Sequence, residues 1–237
     1  MWGSLQNDNQ LVTITFQPQV MTCSLITPSK RSAPLALHAY KKITFQELEL
    51  ESLIVFNATK IKQHINDFLA SCNAPNAFVA CSLRGPTLFE RFVSTTKADP
   101  SMEDFEVSER NHMLWDYRFA YPADNGLWVF YVMGMPRTLL LQYQLLAIAA
   151  QFNLVTVTSE RMALLKLYEY QHGNAFRRSQ LAIDMLRHHN MVEYLFDGDT
   201  LSRILYIPSN LAHHRIDDTH HLLSACGLFV ANNKELV

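Results

Sequence analysis

The residues of this chain best suited to chemistry are four histidines and two aspartates close together near its C-terminus. They are His213, His214, Asp217, Asp218, His220 and His221. On a helix, His214 and Asp218 would lie one turn apart, as would Asp217 and His221, and imidazole and carboxylate at that spacing can bind Zn²⁺ or Ni²⁺. Aspartate is also ordinary at a helix start, where it caps the N-terminus. We expect the second arrangement, with histidines that face water, and keep a metal site as its alternative.

Cysteine and serine offer the other candidate nucleophiles. Cys81 and Cys226 both lie in apolar segments, where burial raises the pKa of a thiol and leaves it unreactive. Ser82 and Ser159 lie in no Gly-x-Ser-x-Gly context, which is the signature of a serine hydrolase. The four cysteines are dispersed and form no Cys-x-x-Cys pair, which favours a reducing compartment. The sequence carries no signature of covalent catalysis.

Composition excludes some classes of protein. The chain has 237 residues, and its 20 Lys and Arg against 22 Asp and Glu give a formal charge of −2. That balance argues against a nucleic-acid-binding face, which needs a basic surplus. Residues 1–10 are polar and lack the regions of a signal peptide. The longest apolar helix, 138–150, is shorter than the about 20 residues that span a bilayer. We expect a soluble cytoplasmic protein that contacts a membrane only through a partner.

The elements that must position these residues alternate between strand and helix. Residues 127–168 contain an apolar strand, a helix that begins after Pro136, a second strand, and a helix that Thr158 or Ser159 can cap. The alternating Met and aromatic residues at 113–121 predict one face of a strand, with a partner-binding groove as the alternative. Further strands are predicted at 11–15, 20–25, 35–43, 77–83, 181–185, 191–196 and 201–207, with helices at 57–69 and 217–231 and a tight turn at Asp197–Gly198.

The order of these elements predicts the fold class. Three antiparallel strands that lead into a helix and a parallel strand are the opening of a ribonuclease H-like or actin-like domain. We predict an α/β chain of this fold with a small inserted α/β subdomain, and the family that the chain resembles, named in the next paragraph, implies a truncated second half. The predicted parts are a polar tail at 1–10, a first subdomain at 11–86 and 155–172, an inserted subdomain at 87–154, and a shortened second subdomain at 173–237. A shortened second half leaves a sheet edge open to strand addition or dimerisation.

The order of segments resembles the actin-like pilus-assembly family known as PilM. Residues 53–68 resemble the helix after that family's third strand, and 128–152 resemble the end of its inserted subdomain. The other similar segments are 155–164 for its return strand and helix, 182–184 for the strand that opens its second half, 197–203 for its hairpin, and 225–228 for its Gly-Leu-Ala helix. The shared order, rather than a single motif, carries the resemblance.

The nucleotide site of that family is degenerate in this sequence. An actin-like ATPase surrounds the phosphates of ATP with two Asp-x-Gly hairpins, because glycine lets the backbone approach closely. The first hairpin here contains Thr13 and Thr15 but no acid or glycine, and the second keeps Asp184 without the following glycine. The resemblance therefore makes Thr13, Thr15 and Asp184 remnants of a nucleotide site. We expect no cofactor, neither ATP nor Mg²⁺.

The resemblance implies a non-catalytic adaptor, a pseudo-ATPase, at the cytoplasmic face of the inner membrane in a type IV pilus, competence or related assembly. In that family the partner is the N-terminal cytoplasmic peptide of the inner-membrane protein PilN, which docks beside the inserted subdomain, here about 87–154. No motif identifies the contact residues or the oligomeric state. The alternatives are the cytoplasmic actin-like domain of a type II secretion platform, a subunit that polymerises, and a metal- or nucleotide-dependent enzyme that uses Asp184 and the cluster at His213–His221.

Overall fold

The computed structural model describes residues 11–29, 33–45, 50–51, 54–55, 58–74, 77–105, 112–123, 125–172, 198–212 and 219–233. The strands are β1 Leu11–Gln17, β2 Val20–Pro28, β3 Leu35–Thr44, β4 Leu50–Glu51, β5 Ile54–Val55, β6 Phe78–Leu83, β7 Phe89–Thr95, β8 Met113–Pro122, β9 Trp128–Pro136, β10 Asn153–Ser159 and β11 Leu205–Tyr206. The helices are α1 Ala58–Ser71, α2 Arg137–Ala150, α3 Glu160–His172, α4 Gly198–Ile204 and α5 Thr219–Asn232. Within these ranges, no helix combines the length and the apolarity needed to cross a membrane.

Six strands form the main sheet in the order β10–β6–β1–β2–β3–β11. β1, β2 and β3 are antiparallel neighbours, whereas β6 runs parallel to both β1 and β10. Residues 11–16 of β1 are buried without interruption, and a strand buried on both faces needs cover on both. Two packed helix pairs, α3 with α5 and α1 with α2, supply that cover.

A second, antiparallel sheet has the order β7–β9–β8. Its central strand β9 is buried at seven consecutive positions, 129–135. Tyr131, Met133 and Met135 join the main core, whereas Phe130 and Val132 form a smaller core with Phe105. Because successive side chains of a strand point to opposite faces, β9 contributes to both cores.

Most of the elements predicted from sequence are confirmed. The three opening strands, the strand at 77–83, the helix after Pro136 and the last helix all form close to the predicted positions. Ser159 caps α3, because its Oγ accepts a hydrogen bond from the backbone N–H of Met162 at 3.2 Å. The residues predicted to share one strand face also do so, since Trp115, Tyr117 and Phe119 of β8 pack against the smaller core.

The predicted strand at 201–207 is wrong for most of its length. Residues Gly198–Ile204 form helix α4, and only Leu205–Tyr206 form a strand, which pairs in parallel with β3. The reason is the spacing of the apolar residues: Leu201 and Ile204 are buried while the two residues between them are exposed, which fits the helical period and not the strand period. The strands predicted at 181–185 and 191–196 lie outside the described residues.

Helices α3 and α5 approach each other at a glycine. A Cβ atom at Gly227 would overlap the backbone carbonyl oxygen of Ala163 on α3. A helix backbone cannot move aside as the end of a flexible side chain can. Gly227 therefore sets the distance between two helices that cover the main sheet.

We expect Gly227→Ala to lower the free energy of unfolding by about 1–3 kcal/mol, because the added methyl overpacks the contact between α3 and α5. Urea denaturation of the two proteins measures the difference. In an open helical position the same change would raise stability by up to about 1 kcal/mol, since alanine is the better helix former. The sign of the change is therefore diagnostic, and a more stable variant would contradict the close contact.

Candidate functional site

The ends of three parallel strands bring polar side chains together at one edge of the main sheet. Gln17 ends β1, Arg84 follows β6, and Glu160 follows β10 as the first residue of α3. His220, from the first turn of α5, reaches the same place. The carboxyl ends of parallel strands are a common place for ligand sites in α/β proteins. We call these four residues the carboxyl edge.

Glu160 is the centre of the carboxyl edge. Its side chain is only 3% exposed, and a buried carboxylate needs partners to offset its lost hydration. Gln17 donates its side-chain N–H to Glu160 Oε1 at 3.1 Å, and Arg84 Nε lies 3.6 Å from Oε2. His220 Nε2 lies 2.8 Å from the same oxygen. The same Nε2 lies 3.1 Å from Arg84 Nη1; because a carboxylate only accepts and a guanidinium only donates, the tautomer of His220 decides which of the two contacts is a hydrogen bond.

A second charged group adjoins the carboxyl edge. Arg161 Nη1 lies 3.6 Å from Glu90 Oε2, and the Tyr131 hydroxyl donates to the other oxygen of Glu90. Burial and the nearby Glu90 carboxylate together raise the pKa of Tyr131. A cavity of about 220 Å³ lies between these charged groups, and it is lined by Arg84, Glu160, His220, Glu90 and Arg161 together with Leu83, Gly85 and Leu164. The cavity is thus lined by charges that are already paired with one another.

The predicted nucleotide-site residues of β1 lie beneath this edge. Thr13 and Thr15 are each 1% exposed. Thr15 Oγ1 lies 3.0 Å from Ser82 Oγ, which in turn lies 2.9 Å from Ser224 Oγ. This chain of hydroxyl groups joins β1, β6 and α5, and its members satisfy one another. Asp184, the third predicted residue, lies outside the described residues.

The turn between β1 and β2 contains no glycine. Gln17 pairs with Val20, which leaves Pro18 and Gln19 as the two turn residues. Gln19 adopts a φ of 63°, a conformation that favours glycine because it has no side chain to clash. A glutamine therefore occupies a turn position whose backbone conformation favours glycine.

Of the histidine cluster, only His220 and His221 lie within the described residues. His220 is bound at the carboxyl edge, and His221 is 8% exposed, so the prediction that the histidines face water is wrong for His221. His213, His214, Asp217 and Asp218 lie outside the described residues. In the part of the chain that the structure describes, no three His, Cys, Asp or Glu residues are grouped as metal ligands.

Cys81 and Cys226 lie in the core. Both thiols are almost completely buried, and burial raises their pKa values. The thiolate is the reactive form of cysteine, so these residues behave as small apolar side chains.

A groove runs between the two sheets. We call this space of about 290 Å³ the groove. Its walls are β8 of the second sheet and β10 of the main sheet, and α2, α3 and α5 also contribute. The lining residues are Leu114, Trp115, Asp116, Arg118, Met133, Met135, Leu140, Thr156, Val157, Thr158, Met162, Ala163, Lys166, Ala231 and Asn232.

Both strands that line the groove are end strands. β8 ends the second sheet and β10 ends the main sheet, and no further described strand pairs with either. The outer backbone groups of an end strand can pair with another chain. Three methionines supply an apolar lining that adapts to different side chains. At one end Lys166 Nζ and Arg118 Nη1 share Glu169, at 3.1 and 4.0 Å from its Oε2.

The two faces of β8 contact different parts of the protein. Trp115, Tyr117 and Phe119 pack into the smaller core, with Trp115 against Gly134. The alternate residues Leu114, Asp116 and Arg118 line the groove, and of the three aromatic residues Trp115 also lines it. The aromatic alternation seen in the sequence is therefore mainly a packing feature, and the intervening residues face the space where a ligand can lie.

The chain is similar to known proteins in its fold and not in its sequence. No protein-family model matches this sequence, and no curated protein matches it. A solved structure described as the PilM–PilN type IV pilus biogenesis complex matches with a TM-score of 0.54 and 12% identity, over 68% of this chain and 50% of that one. The chain has the actin-like fold of PilM. It spans about half the length of that structure.

Two further structures are similar at lower scores. The cytoplasmic domain of EpsL, an inner membrane component of the type II secretion system of Vibrio cholerae, has a TM-score of 0.42 and 11% identity, over 65% of this chain and 57% of that one. A Bacteroides thetaiotaomicron VPI-5482 protein with an actin-like ATPase fold and unknown function has a TM-score of 0.37 and 7% identity, over 72% and 60% of the two chains.

Sequence reasoning missed the carboxyl edge, although a signal was present. Arg84 comes directly after a predicted buried strand, and Glu160 comes directly after the predicted cap that follows another; such positions meet at one edge when the strands are parallel. For the groove, the only signal was the alternation at 113–121, for which a partner-binding groove was the alternative. Its lining comes from the five consecutive elements β8 to α3 and from α5, and no local pattern shows that these elements meet.

We expect Glu160→Ala to lower the free energy of unfolding by about 1.5–3 kcal/mol, because Gln17 and His220 lose the charged acceptor that they share. Chemical denaturation measures the change. Glu169→Ala is the matched control, since it removes the same side chain from a partly exposed ion pair, and it should cost at most about 1 kcal/mol. Equal losses for both variants would contradict a structural role for Glu160.

Proposed function

We propose that this chain is a non-catalytic adaptor of a type IV pilus or related secretion machine. It acts in the cytoplasm, at the inner membrane, and binds the extended N-terminal peptide of a PilN-like membrane protein in the groove. The fold shared with PilM supports this proposal, because the matched structure is a complex of PilM with PilN. The observation that carries it is the groove itself.

The groove suits an extended peptide. A bound strand can form backbone hydrogen bonds with the outer edge of β8 or β10, and these give affinity without a particular sequence. Met133, Met135 and Met162 line the space beneath, where apolar side chains of the peptide are received. Lys166 and Arg118 favour an acidic or polar group at their end of the groove.

The carboxyl edge supports the non-catalytic part of the proposal. The Glu160 carboxylate is buried where the ends of β1, β6 and β10 meet, and it already has Arg84 and His220 as partners, so a phosphate there would have to displace contacts to a charged group. The glycine-free turn at Pro18 and Gln19 also offers no close backbone approach. Protein side chains thus already bind to Glu160 at this edge, where a ligand would otherwise bind.

We expect Leu114→Trp to weaken peptide binding by at least about tenfold, because the larger ring fills the groove from the β8 side. The probe is the N-terminal cytoplasmic peptide of the inner-membrane protein encoded beside this chain, and calorimetry measures its affinity. Gln63→Trp is the matched control, since it adds the same ring at an exposed site on α1, outside the groove.

Hydrogen exchange supplies a second readout for the same complex. Backbone amides of β8 or β10 should become protected when the peptide binds, because pairing with an end strand removes them from water. Binding that survives Leu114→Trp, or that protects neither strand, would place the peptide elsewhere and overturn the proposed site.

We expect no binding of ATP–Mg²⁺ up to millimolar concentration in the same calorimeter. The Glu160 carboxylate and the glycine-free turn both disfavour a polyphosphate at the carboxyl edge. Micromolar affinity for ATP would show that a nucleotide site survives, and the pseudo-ATPase part of the proposal would then be abandoned.

A further inference from the structure

One backbone N–H of β8 is bound by a side chain of the same strand. The N–H of Tyr117 donates to Asp116 Oδ1 at 2.9 Å, and Tyr117 is paired with Val132 of β9 in the second sheet. In an antiparallel ladder, every second residue points its N–H and C=O away from the neighbouring strand. An N–H that binds Asp116 belongs to this outward set, because the inward groups bind β9. Tyr117 therefore presents its backbone at the free edge of β8.

The contact between Trp115 and Gly134 supports this assignment. These residues are paired across β8 and β9, two positions along from Tyr117 and Val132, so both pairs are of the same type. Pairs that exchange no hydrogen bonds bring their Cα atoms to about 4.5 Å, closer than hydrogen-bonded pairs. Such closeness fits the Trp115 ring, whose Cζ3 lies 2.6 Å from the place of a Cβ atom at Gly134. The outward backbone groups of β8 thus include those of Trp115 and Tyr117.

The Asp116 carboxylate can leave the Tyr117 N–H at small cost. Asp116 is exposed and lines the groove, and a hydrogen bond that water can replace contributes little net free energy. Arg118 lies two residues further along β8, on the same strand face, and it also lines the groove. Its Nη1 is 4.0 Å from Glu169 Oε2, which is a loose ion pair. A released Asp116 carboxylate therefore has a cation beside it on the strand.

β8 is better suited than β10 to pair with an extended segment. β8 keeps one register with β9 from Met113 to Phe119, so its outward groups are evenly spaced over that length. β10 shifts its register with β6 between Leu154 and Thr156, and such an irregularity bends a strand and disrupts its ladder. Asp116 Oδ1 lies where the carbonyl oxygen of a strand added to β8 would accept from Tyr117.

We propose that Asp116 is a latch on the free edge of β8 that regulates binding in the groove. In the free protein the carboxylate occupies the Tyr117 N–H. When the partner's extended segment pairs with β8, a backbone carbonyl of the partner accepts from this N–H, and the carboxylate turns toward Arg118. The latch weakens every strand that adds to this edge, and it thereby favours a segment that gains further contacts in the groove. This inference rests on the proposed function, because it needs a partner in the groove.

Hydrogen exchange of the free protein tests the latch without a partner. The proteins are the wild type, Asp116→Ala, Asp116→Asn and the control Asp67→Ala, which removes the same side chain from an exposed position of α1 outside the groove. NMR measures the exchange rate of the Tyr117 amide in each. That rate should rise about three- to tenfold in Asp116→Ala, the factor that a typical hydrogen bond is worth, and it should not change in the control.

The asparagine variant separates the hydrogen bond from the charge. Asp116→Asn keeps a side-chain oxygen that can accept from the Tyr117 N–H, although an amide oxygen is a weaker acceptor than a carboxylate. Its Tyr117 exchange rate should therefore lie between those of the wild type and Asp116→Ala. An exchange rate that Asp116→Ala leaves unchanged would overturn the latch, and the proposed function would stand without it.

Calorimetry with the N-terminal cytoplasmic peptide of the inner-membrane protein encoded beside this chain tests the regulation. Asp116→Ala should bind this peptide about three- to tenfold more tightly than the wild type and the Asp67→Ala control, because no carboxylate competes with the peptide's carbonyl. Asp116→Asn should again lie between them. In each complex the Tyr117 amide should exchange more slowly than in the free protein.

The other outcomes overturn the inference in distinguishable ways. Equal gains for Asp116→Ala and Asp116→Asn would show that the charge of Asp116, and not its hydrogen bond, opposes the peptide. Weaker binding by both variants would make Asp116 a contact of the peptide, and an unchanged affinity would exclude pairing with the β8 edge. If none of the proteins binds the peptide, the proposed function fails and the regulatory role fails with it, even where exchange shows the hydrogen bond to Tyr117.

Discussion

The close approach of α3 and α5 at Gly227 is the contact on which the rest of the described structure depends. α5 meets the main sheet at three places along its length: His220 at the carboxyl edge, Ser224 in the hydroxyl chain, and Asn232, which accepts a hydrogen bond from Thr156 of β10 at 2.6 Å. All three contacts require the helix to lie at one distance from α3. Since Ala163 contributes a backbone oxygen to that contact, one residue without a side chain fixes both the carboxyl edge and one wall of the groove.

The carboxyl edge and the groove differ in what they leave available to a ligand. At the edge, the buried Glu160 already has an amide, a guanidinium and an imidazole as partners, and a ligand there would have to displace contacts to a charged group. The groove is lined by methionines and by the free sides of two end strands, whose backbone groups bind water until a chain replaces it. The cost of occupying the groove is therefore smaller, which is why the proposed function places the partner there.

Sequence could predict those parts of the fold that have a local cause. Apolar runs predicted β6 and β9, Pro136 predicted the start of α2, and the cap of α3 was predicted to be Thr158 or Ser159. The strand predicted at 201–207 failed because Leu201 and Ile204 have a helical spacing that a count of apolar residues does not register. A groove was predicted only as the alternative for the alternation at 113–121, because no local pattern shows that Met133 and Met162 meet through the packing of a sheet on a helix. The role of Glu160 in the carboxyl edge could have been predicted, because its position after a buried strand can be seen in the sequence.

The alternation along β8 couples the stability of the second sheet to the shape of the groove. Trp115 and Tyr117 are partly buried and pack against the smaller core, whereas Asp116 and Arg118, which alternate with them, line the groove. A shift of one residue in the pairing of β8 with β9 would exchange the two sets and place aromatic rings in the groove. Gly134 opposes that shift, because Trp115 packs where a side chain at 134 would lie. The residues that hold the sheet in register are thus the ones that keep the groove open, although they contribute little to its chemistry.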